Sequence, residues 1–380
     1  MPTPSSSAVR EIYSEIDKYF STERHERRVK AIGIASGDDR PRPFDVARPD
    51  PAPGEVLVRT LRVGVDGTDH EVVAGAHGGP PPGEEFLILG HEAVGVVVDP
   101  TTTDFERGDV VVPTVRRPPP DGSNAYFERG EADMAPPSAC VERGIDGAHG
   151  FMSEYFTSPA AFLIPIPEQL APWGFLVEPT SISEKALELA RASRSSFAWT
   201  PETALVLGTG PLGLVTVAML APEMTVYCLG RRDRSDPGVA LVEALGATYV
   251  DSRETPVRAV PDAHEPADLV YEATGHARHA LDCVDALAPN GVAALLGLPG
   301  ASEVTVDAGH FHSDLVMHNK ALVGSVNSGP KHFRAAVERL AGFPSWFFEE
   351  FVTEIAPVEE FEAAFDPDAT LKTAVEFDTL

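Results

Sequence analysis

The apolar run Ala204-Leu205-Val206-Leu207 ends in Gly208-Thr209-Gly210-Pro211-Leu212-Gly213, and a second apolar stretch continues to residue 220. A strand, a Gly-x-Gly-x-x-Gly turn and a helix in that order make a dinucleotide site. Gly208 permits the tight turn, Gly210 lets a pyrophosphate approach the backbone, and Gly213 lets helix and strand pack closely. The unpaired N–H groups of the helix N-terminus then face the anion. The next β-type run, Val226-Tyr227-Cys228-Leu229, ends at Gly230-Arg231-Arg232-Asp233. A site built for NAD carries Asp or Glu at that tip, to accept from the ribose 2′-hydroxyl. Here Arg231 and Arg232 can clamp a 2′-phosphate instead. The expected cofactor is NADP, with NAD also usable. The alternative for the two arginines is surface pairing with Asp233 or Asp236.

These groups need a scaffold, and the texture of the chain changes twice along its length. Residues 30–184 are rich in short β-type runs, Pro and Gly, such as Glu55-Val56-Leu57-Val58-Arg59-Thr60-Leu61 and Asp109-Val110-Val111-Val112-Pro113. They predict a partly closed β-barrel that carries the catalytic groups. Residues 114–147 show little periodicity and read as a long loop. Residues 185–320 alternate strand-like and helix-like segments, which predicts a doubly wound parallel sheet that binds the nucleotide. Residues 321–380 are expected to return to the first domain, with 321–326 crossing back and a helix over 331–340. Residues 1–29 precede the first strand-like run. Ile12, Tyr13, Ile16, Tyr19 and Phe20 recur there at helical spacing, so the segment is either an amphipathic helix or a miscalled start.

A chain of 380 residues with 43% hydrophobic content can bury a core and divide into two domains. No apolar run approaches the roughly 18 residues that a membrane span needs, and no apolar signal segment opens the chain, so the expected location is cytoplasmic without membrane association. Acidic residues number 58 against 30 basic ones, for a net charge of -28. Only six of the basic residues are lysines (Lys18, Lys30, Lys185, Lys320, Lys331 and Lys372). A folded surface this acidic repels itself until salt screens it, and at molar ionic strength the Debye length falls to about 3 Å. A halophilic setting is expected, and nucleic acid is excluded as a partner. Cys140, Cys228 and Cys283 share no close spacing, which rules out a disulfide framework.

Leu89-Gly90-His91-Glu92-Ala93-Val94-Gly95 resembles the Gly-His-Glu signature of zinc-dependent medium-chain alcohol and polyol dehydrogenases. Where those enzymes carry an upstream cysteine ligand, Val63-Gly64-Val65-Asp66-Gly67-Thr68-Asp69-His70 has Asp66. The resemblance implies Asp66, His91 and Glu178 as ligands of one catalytic zinc, with a fourth position for water or a sugar hydroxyl. Glu92 is implied as an adjacent carboxylate or an exchangeable ligand. Thr68 matches the hydroxyl that bonds substrate and passes its proton outward, with His70 a later relay member and Asp69 paired to an arginine. Only Cys140 remains of the four cysteines that hold a structural zinc in many relatives, so none is expected and the 114–147 lobe must rest on packing and hydrogen bonds. Thr274, in Glu272-Ala273-Thr274-Gly275, is implied beside the nicotinamide ribose. Leu296, Gly297 and Leu298 would offer backbone groups to the carboxamide.

Segments 63–72, 90–98, 112–117, 142–154 and Ser325-Val326-Asn327 are similar to the glucose 1-dehydrogenases of halophilic archaea, and the resemblance covers 29–380. It implies a GroES-like barrel joined to a Rossmann domain. Glu142 and Asn327 would hold sugar hydroxyls, Glu178 would serve both metal and sugar, and Ser325, Val326 and Asn327 would also touch the cofactor. The expected reaction is oxidation of D-glucose at C1 to D-glucono-1,5-lactone, feeding a modified Entner–Doudoroff route, in a homodimer or tetramer. Ile182 departs from the aspartate that some archaeal sugar dehydrogenases carry four residues after the third ligand. The rival readings are the same chemistry on galactose, xylose or a polyol, and a zinc-free quinone-reductase-like or non-catalytic nucleotide-binding protein.

Overall fold

The long strand Glu55–Val65 has buried side chains along most of its length and organises the first domain. One edge pairs antiparallel with Glu92–Asp99; the other is shared by Tyr155–Pro159 near its start and Lys372–Glu376 near its end. Val110–Pro113, Leu163–Pro165 and Val352–Pro357 complete a seven-stranded sheet. Valine-rich runs suit such strands, because β-branched side chains pack on a pleated surface. A three-stranded antiparallel sheet of Arg28–Ala35, Arg42–Ala47 and Phe86–Ile88 closes one side. In this computed structural model residues 28–380 are described, apart from Asp121, Pro367 and Thr370. The helix candidate at residues 12–20 lies outside the described residues.

Six parallel strands form the second sheet, in the spatial order Thr248–Asp251, Thr225–Gly230, Thr203–Leu207, Ala267–Glu272, Leu287–Leu295, Ala321–Gly324. The order reverses beside Thr203–Leu207, which places a crevice at the carboxyl ends of the strands. The expected doubly wound class is present, but one boundary differs. Ala321–Gly324 is the sixth strand of this sheet rather than a crossing back into the first domain. A four-residue apolar run has no period that distinguishes one sheet from another; partner strands decide. The chain does rejoin the first sheet further on, through Val352–Pro357 and Lys372–Glu376. Helix Val177–Ser193 joins the domains and packs against helix Pro330–Ala341.

The 114–147 stretch is less irregular than its sequence suggests. It holds a small sheet of Arg116–Arg117, Val141–Arg143 and Gly147–Ala148, and a short helix Ala125–Glu128. Two- and three-residue strands between prolines are too short to show periodicity. Arg116 sits buried at the centre, donating from Nη1 to the carbonyls of Asp133 (3.0 Å) and Ala135 (2.9 Å). Arg117 is also buried, bonded to Thr114 and lying 4.4 Å from the Phe162 ring centre.

The segment after this lobe folds tightly over the turn that precedes His91. A Cβ on Gly150 would lie 2.2 Å from the Leu89 carbonyl oxygen and 2.4 Å from that of Gly90. Backbone on both sides leaves no rotamer to relieve the overlap, so Gly150→Ala is expected to cost about 1–3 kcal/mol. Gly300→Ala, where a Cβ meets nothing within 4 Å, should change little. Denaturant unfolding in molar KCl separates the two; equal midpoints would contradict this packing.

Candidate active site

Asp66 follows the last residue of strand Glu55–Val65, and His91 precedes the first residue of its antiparallel neighbour. Opposed strands bring the end of one beside the start of the other, so the two residues meet. The His91 Nε2 atom lies 3.7 Å from Asp66 Oδ2. Asp66 also caps helix Gly67–Val73, accepting at Oδ1 from the N–H groups of Thr68 (2.8 Å) and Asp69 (3.1 Å). Thr68 Oγ1 donates to Asp66 Oδ2 at 3.2 Å. On the other side of the ring, His91 Nδ1 faces Asp69 Oδ1 at 3.8 Å. Asp69 is buried and returns the cap by accepting the Asp66 N–H. The expected pairing of Asp69 with an arginine is corrected: it stands behind the imidazole, beyond hydrogen-bond distance of Nδ1.

Glu92 points to the same end of the sheet, opposite Gly64. A Cβ on Gly64 would lie 2.1 Å from Glu92 Oε2, so only glycine leaves space for that carboxyl. Glu92 pairs with Lys372, which is fully buried and donates to the Val65 carbonyl at 2.9 Å. Glu178 enters from the first turn of helix Val177–Ser193, held against the sheet by Phe175, Leu176 and Val177 packed with Val94 and Val96. Ligand atoms of Asp66, His91 and Glu92 lie within 4.8 Å of one another, the one such group of three among the described residues. Glu178 is not in that group, but it lies close enough that His91, Glu92 and Asp66 all act on its charge.

The electrostatics ask for a cation. Burial pushes Glu92 up to about 7 against the pull of Lys372, and burial pushes Glu178 up to about 8. Burial opposes ionisation of Asp66 too, but His91 and Lys372 hold its carboxyl well below the usual range. Burial also opposes charge on His91, yet Asp66 and Asp69 on its two sides hold it well above its ordinary value. Asp69 Oδ1 and His91 Nδ1 are buried without a hydrogen-bond partner. Four carboxyls crowd around one lysine and one imidazole. A nitrogen and carboxylate oxygens suit zinc, and a divalent ion would let the carboxyls ionise and leave His91 neutral.

The cofactor turn opens onto the same place. Asp66, Gly67, Thr68 and Glu71 line a cleft of about 380 Å³ together with Gly210, Pro211, Leu212, Gly213, Thr274, Leu296, Gly297 and Leu298. Gly208 has φ +116°, which favours glycine. Thr274 folds onto the buried Glu272, its N–H donating to Oε1 at 2.8 Å. A Cβ on Gly297 would lie 2.1 Å from the Gly275 nitrogen, so the two turns touch. At the strand tip Gly230 packs on Thr209, Arg231 is exposed, and Arg232 bonds Thr209 Oγ1 (3.1 Å) and Asp236 Oδ2 (3.0 Å). Surface pairing with Asp236 therefore does occur for Arg232. Arg253, which sequence reading passed over, joins the tip through Asp233 and Asp251.

His70 is not among the cleft-lining residues. Two positions after Thr68 on a helix is about 200° of rotation, and its ring lies edge-on to Phe365 at 6.0 Å. Glu142 is held by Arg116 (2.9 Å) in a strand whose following turn touches Gly90: a Cβ on Gly144 would be 2.4 Å from the Gly90 oxygen. Asn327 has φ +57° and an unpartnered buried Oδ1; Ser325 Oγ is likewise buried without a partner, while Val326 is exposed. Lys372 was missed as a site residue. Its one signal was scarcity: a lysine inside an apolar strand of so acidic a chain is a candidate for a buried pair.

The glycines of the turn make separable predictions. A Cβ at Gly213 would lie 2.0 Å from the Gly208 oxygen, so Gly213→Ala should lose stability by about 1–3 kcal/mol. A Cβ at Gly210 meets nothing within 4 Å, so Gly210→Ala should unfold like the parent and still bind NADP far less well. Paired unfolding and cofactor titrations check both. A Gly210→Ala protein with parental cofactor affinity would remove the phosphate role.

Known proteins share this two-domain fold. Residues 171–377 match the family model described as glucose dehydrogenase C-terminus, and residues 52–168 match the alcohol dehydrogenase GroES-like domain. The glucose 1-dehydrogenase of Haloferax mediterranei is 60% identical over 357 residues, covering 93% of this chain and 100% of the relative. That of Halobacterium salinarum is 58% identical, covering 92% and 99%. A solved structure of the Haloferax mediterranei glucose dehydrogenase in complex with NADP, Zn and gluconolactone superposes with a TM-score of 0.91, covering 92% of this chain and 100% of that one. The chain belongs to the glucose dehydrogenase family, with a GroES-like catalytic domain and a Rossmann nucleotide domain.

Proposed function

We propose that this protein is a zinc-dependent glucose 1-dehydrogenase that oxidises D-glucose at C1 to D-glucono-1,5-lactone with NADP, NAD being usable. The observation that carries the reading is the shared cleft: Asp66 and Thr68 line it with Gly210, Gly213 and Leu298. An acidic, metal-suited cluster thus borders the space where a dinucleotide would lie. Relatives bearing that name and a structure holding NADP, Zn and gluconolactone support the substrate and both cofactors.

Asp66, His91 and Glu178 would hold the zinc, with Glu92 as the neighbouring carboxyl that can exchange in. When bound, zinc supplies a Lewis acid that lowers the pKa of the sugar hydroxyl. Thr68, which lines the cleft and donates to Asp66, would pass the hydroxyl proton outward. Asp69, 3.8 Å behind His91, would stabilise the imidazole by its charge, and Lys372 pairs with Glu92 at the sheet end. Glu142, Glu178 and Asn327 would bind sugar hydroxyls, and Thr274, Leu296, Gly297, Ser325 and Val326 would border the nicotinamide end of NADP. The hydride chemistry belongs to the cofactor. The domain division proposed is a catalytic unit of residues 30–184 and the C-terminal strands around a nucleotide unit that runs to residue 324. A homodimer or tetramer is proposed through the edge strand Ala321–Gly324, with exposed Val316 and Met317 just before it. Among the described residues no helix is long and apolar enough to cross a membrane. A cytoplasmic site and a place in a modified Entner–Doudoroff route fit these features.

Hydride transfer to NADP from glucose, galactose and xylose in molar KCl, before and after chelation, tests the reading. Full activity in stripped protein, or no turnover of any aldose, would remove it. Because burial pushes Glu92 up to about 7 and Glu178 up to about 8, metal binding would displace protons from them. Zinc affinity is therefore expected to weaken as pH falls from above 8 through 7, read by competition with a chelator at several pH values. An affinity flat across that window would contradict carboxyl ligation. Arg231→Ala should raise the KM for NADP by about tenfold, as loss of one charge-assisted contact does, and leave that for NAD nearly unchanged. Equal effects on both cofactors would remove the 2′-phosphate role.

A further inference from the structure

Glu142 and Asn327 come from separate segments, and one buried polar strut ties the two together. Its joint is Asp133, 5% exposed, in the 114–147 lobe. The Asp133 carbonyl accepts from Arg116 Nη1 and from Lys185 Nζ, each at 3.0 Å. Its Oδ2 also stands 3.0 Å from the Lys185 ammonium. Arg116 continues to Glu142, Nε to Oε1 at 2.9 Å. Lys185 continues to the Val326 carbonyl at 2.9 Å, one residue before Asn327. From the same helix, Ser181 Oγ donates to the Glu178 carbonyl and accepts from Ser328 Oγ, both at 2.5 Å.

The strut crosses between domains. Arg116, Asp133 and Glu142 belong to the lobe of the first, whereas residues 325–329 follow the sixth strand of the nucleotide sheet. Asn327 has a φ of +57°, in the left-handed region, which asparagine tolerates better than other side-chain-bearing residues, so the backbone turns sharply at this point. Its Oδ1 is buried with no hydrogen-bond partner among the described residues, so that atom does not fix the side chain. Burying Lys185 gives up hydration and the rotamer freedom of a long side chain, a cost that its three acceptors offset. Those acceptors lie on two segments that each carry a proposed sugar contact.

We infer that Lys185 is a positioning residue for sugar binding, holding the Asn327 turn against the lobe and, through Asp133 and Arg116, setting the Glu142 carboxylate toward the same substrate. This inference rests on the proposed aldose reaction. Lys185→Met keeps the stem and removes the ammonium. It should raise the KM for the aldose about tenfold, the equivalent of roughly 1.4 kcal/mol, with kcat little changed. The zinc content per chain should stay at the parental value, the KM for NADP should rise far less than that for the aldose because the Val326 carbonyl is only one side of the cofactor's border, and Lys185→Arg should recover part of the loss. Asp133→Asn, which keeps the carbonyl joint, should give a smaller rise of the same kind.

The parent is assayed first: no turnover of any aldose would remove the proposed function itself. With the parent active, an unchanged aldose KM in folded Lys185→Met would overturn the strut alone. Parallel losses in NADP affinity and zinc content would overturn it too, since those mark a general packing defect. If Lys185→Met does not fold, Asp133→Asn decides, and an aldose KM equal to the parent's overturns the inference.

Discussion

Gly64 faces Glu92 across an antiparallel strand pair, and a side chain at residue 64 would overlap the Glu92 carboxyl. That register sets the place of everything else at this end of the sheet. Asp66 leaves the end of one strand, His91 and Glu92 enter at the start of the next, and Lys372 begins the third, where Thr373 is paired with Val65. Because side chains alternate across a strand, a slip of one residue would turn Glu92 and Lys372 to the wrong face. Helix Val177–Ser193 then delivers Glu178 only because Phe175 and Leu176 are locked into the core behind the same strands.

The chain handles its charges in two opposite ways. Most of its 58 acidic residues serve the surface, where salt screens them. Among the buried ones, Glu92 and Asp133 meet a lysine and Asp282 an arginine, whereas Glu272 accepts from Thr274. Among the described residues two lysines, Lys185 and Lys372, are buried, at 3% and 0% exposure. Each holds a carboxylate and one or more backbone carbonyls in place. Buried pairs of this kind add little net stability, since desolvation offsets the attraction, but breaking one leaves a charge without a partner. They define geometry. Arg116 does the same in the lobe, where it ties Glu142 to two carbonyls.

The two domains meet through polar contacts as well as apolar ones. Helix Val177–Ser193 contributes Glu178 to the cluster, Lys185 to the strut and apolar side chains to the larger core. A domain movement about this helix would change metal, sugar and cofactor positions together. Such coupling suits a reaction in which a sugar C–H must be brought against a nicotinamide ring.

The phosphate turn was legible in the sequence because its chemistry is local. Gly208, Gly210 and Gly213 act within one strand–turn–helix unit, and their spacing alone states the geometry. His91, Asp66 and Glu178 were legible by resemblance to a family whose ligand positions they match. Residues that act through partners far along the chain were not. Asp69 reads in sequence as the partner of an arginine, whereas the fold sets it behind His91, and His70 lies edge-on to Phe365. Lys372 lies 280 residues from Glu92 in sequence and in contact with it in space. The sequence by itself determined the alternating texture of two domains, the acidic surface and the cofactor turn, since each depends on neighbours in the chain. Only tertiary structure decided which carboxyls share one buried space, because that depends on strand register and on burial, which no local pattern encodes.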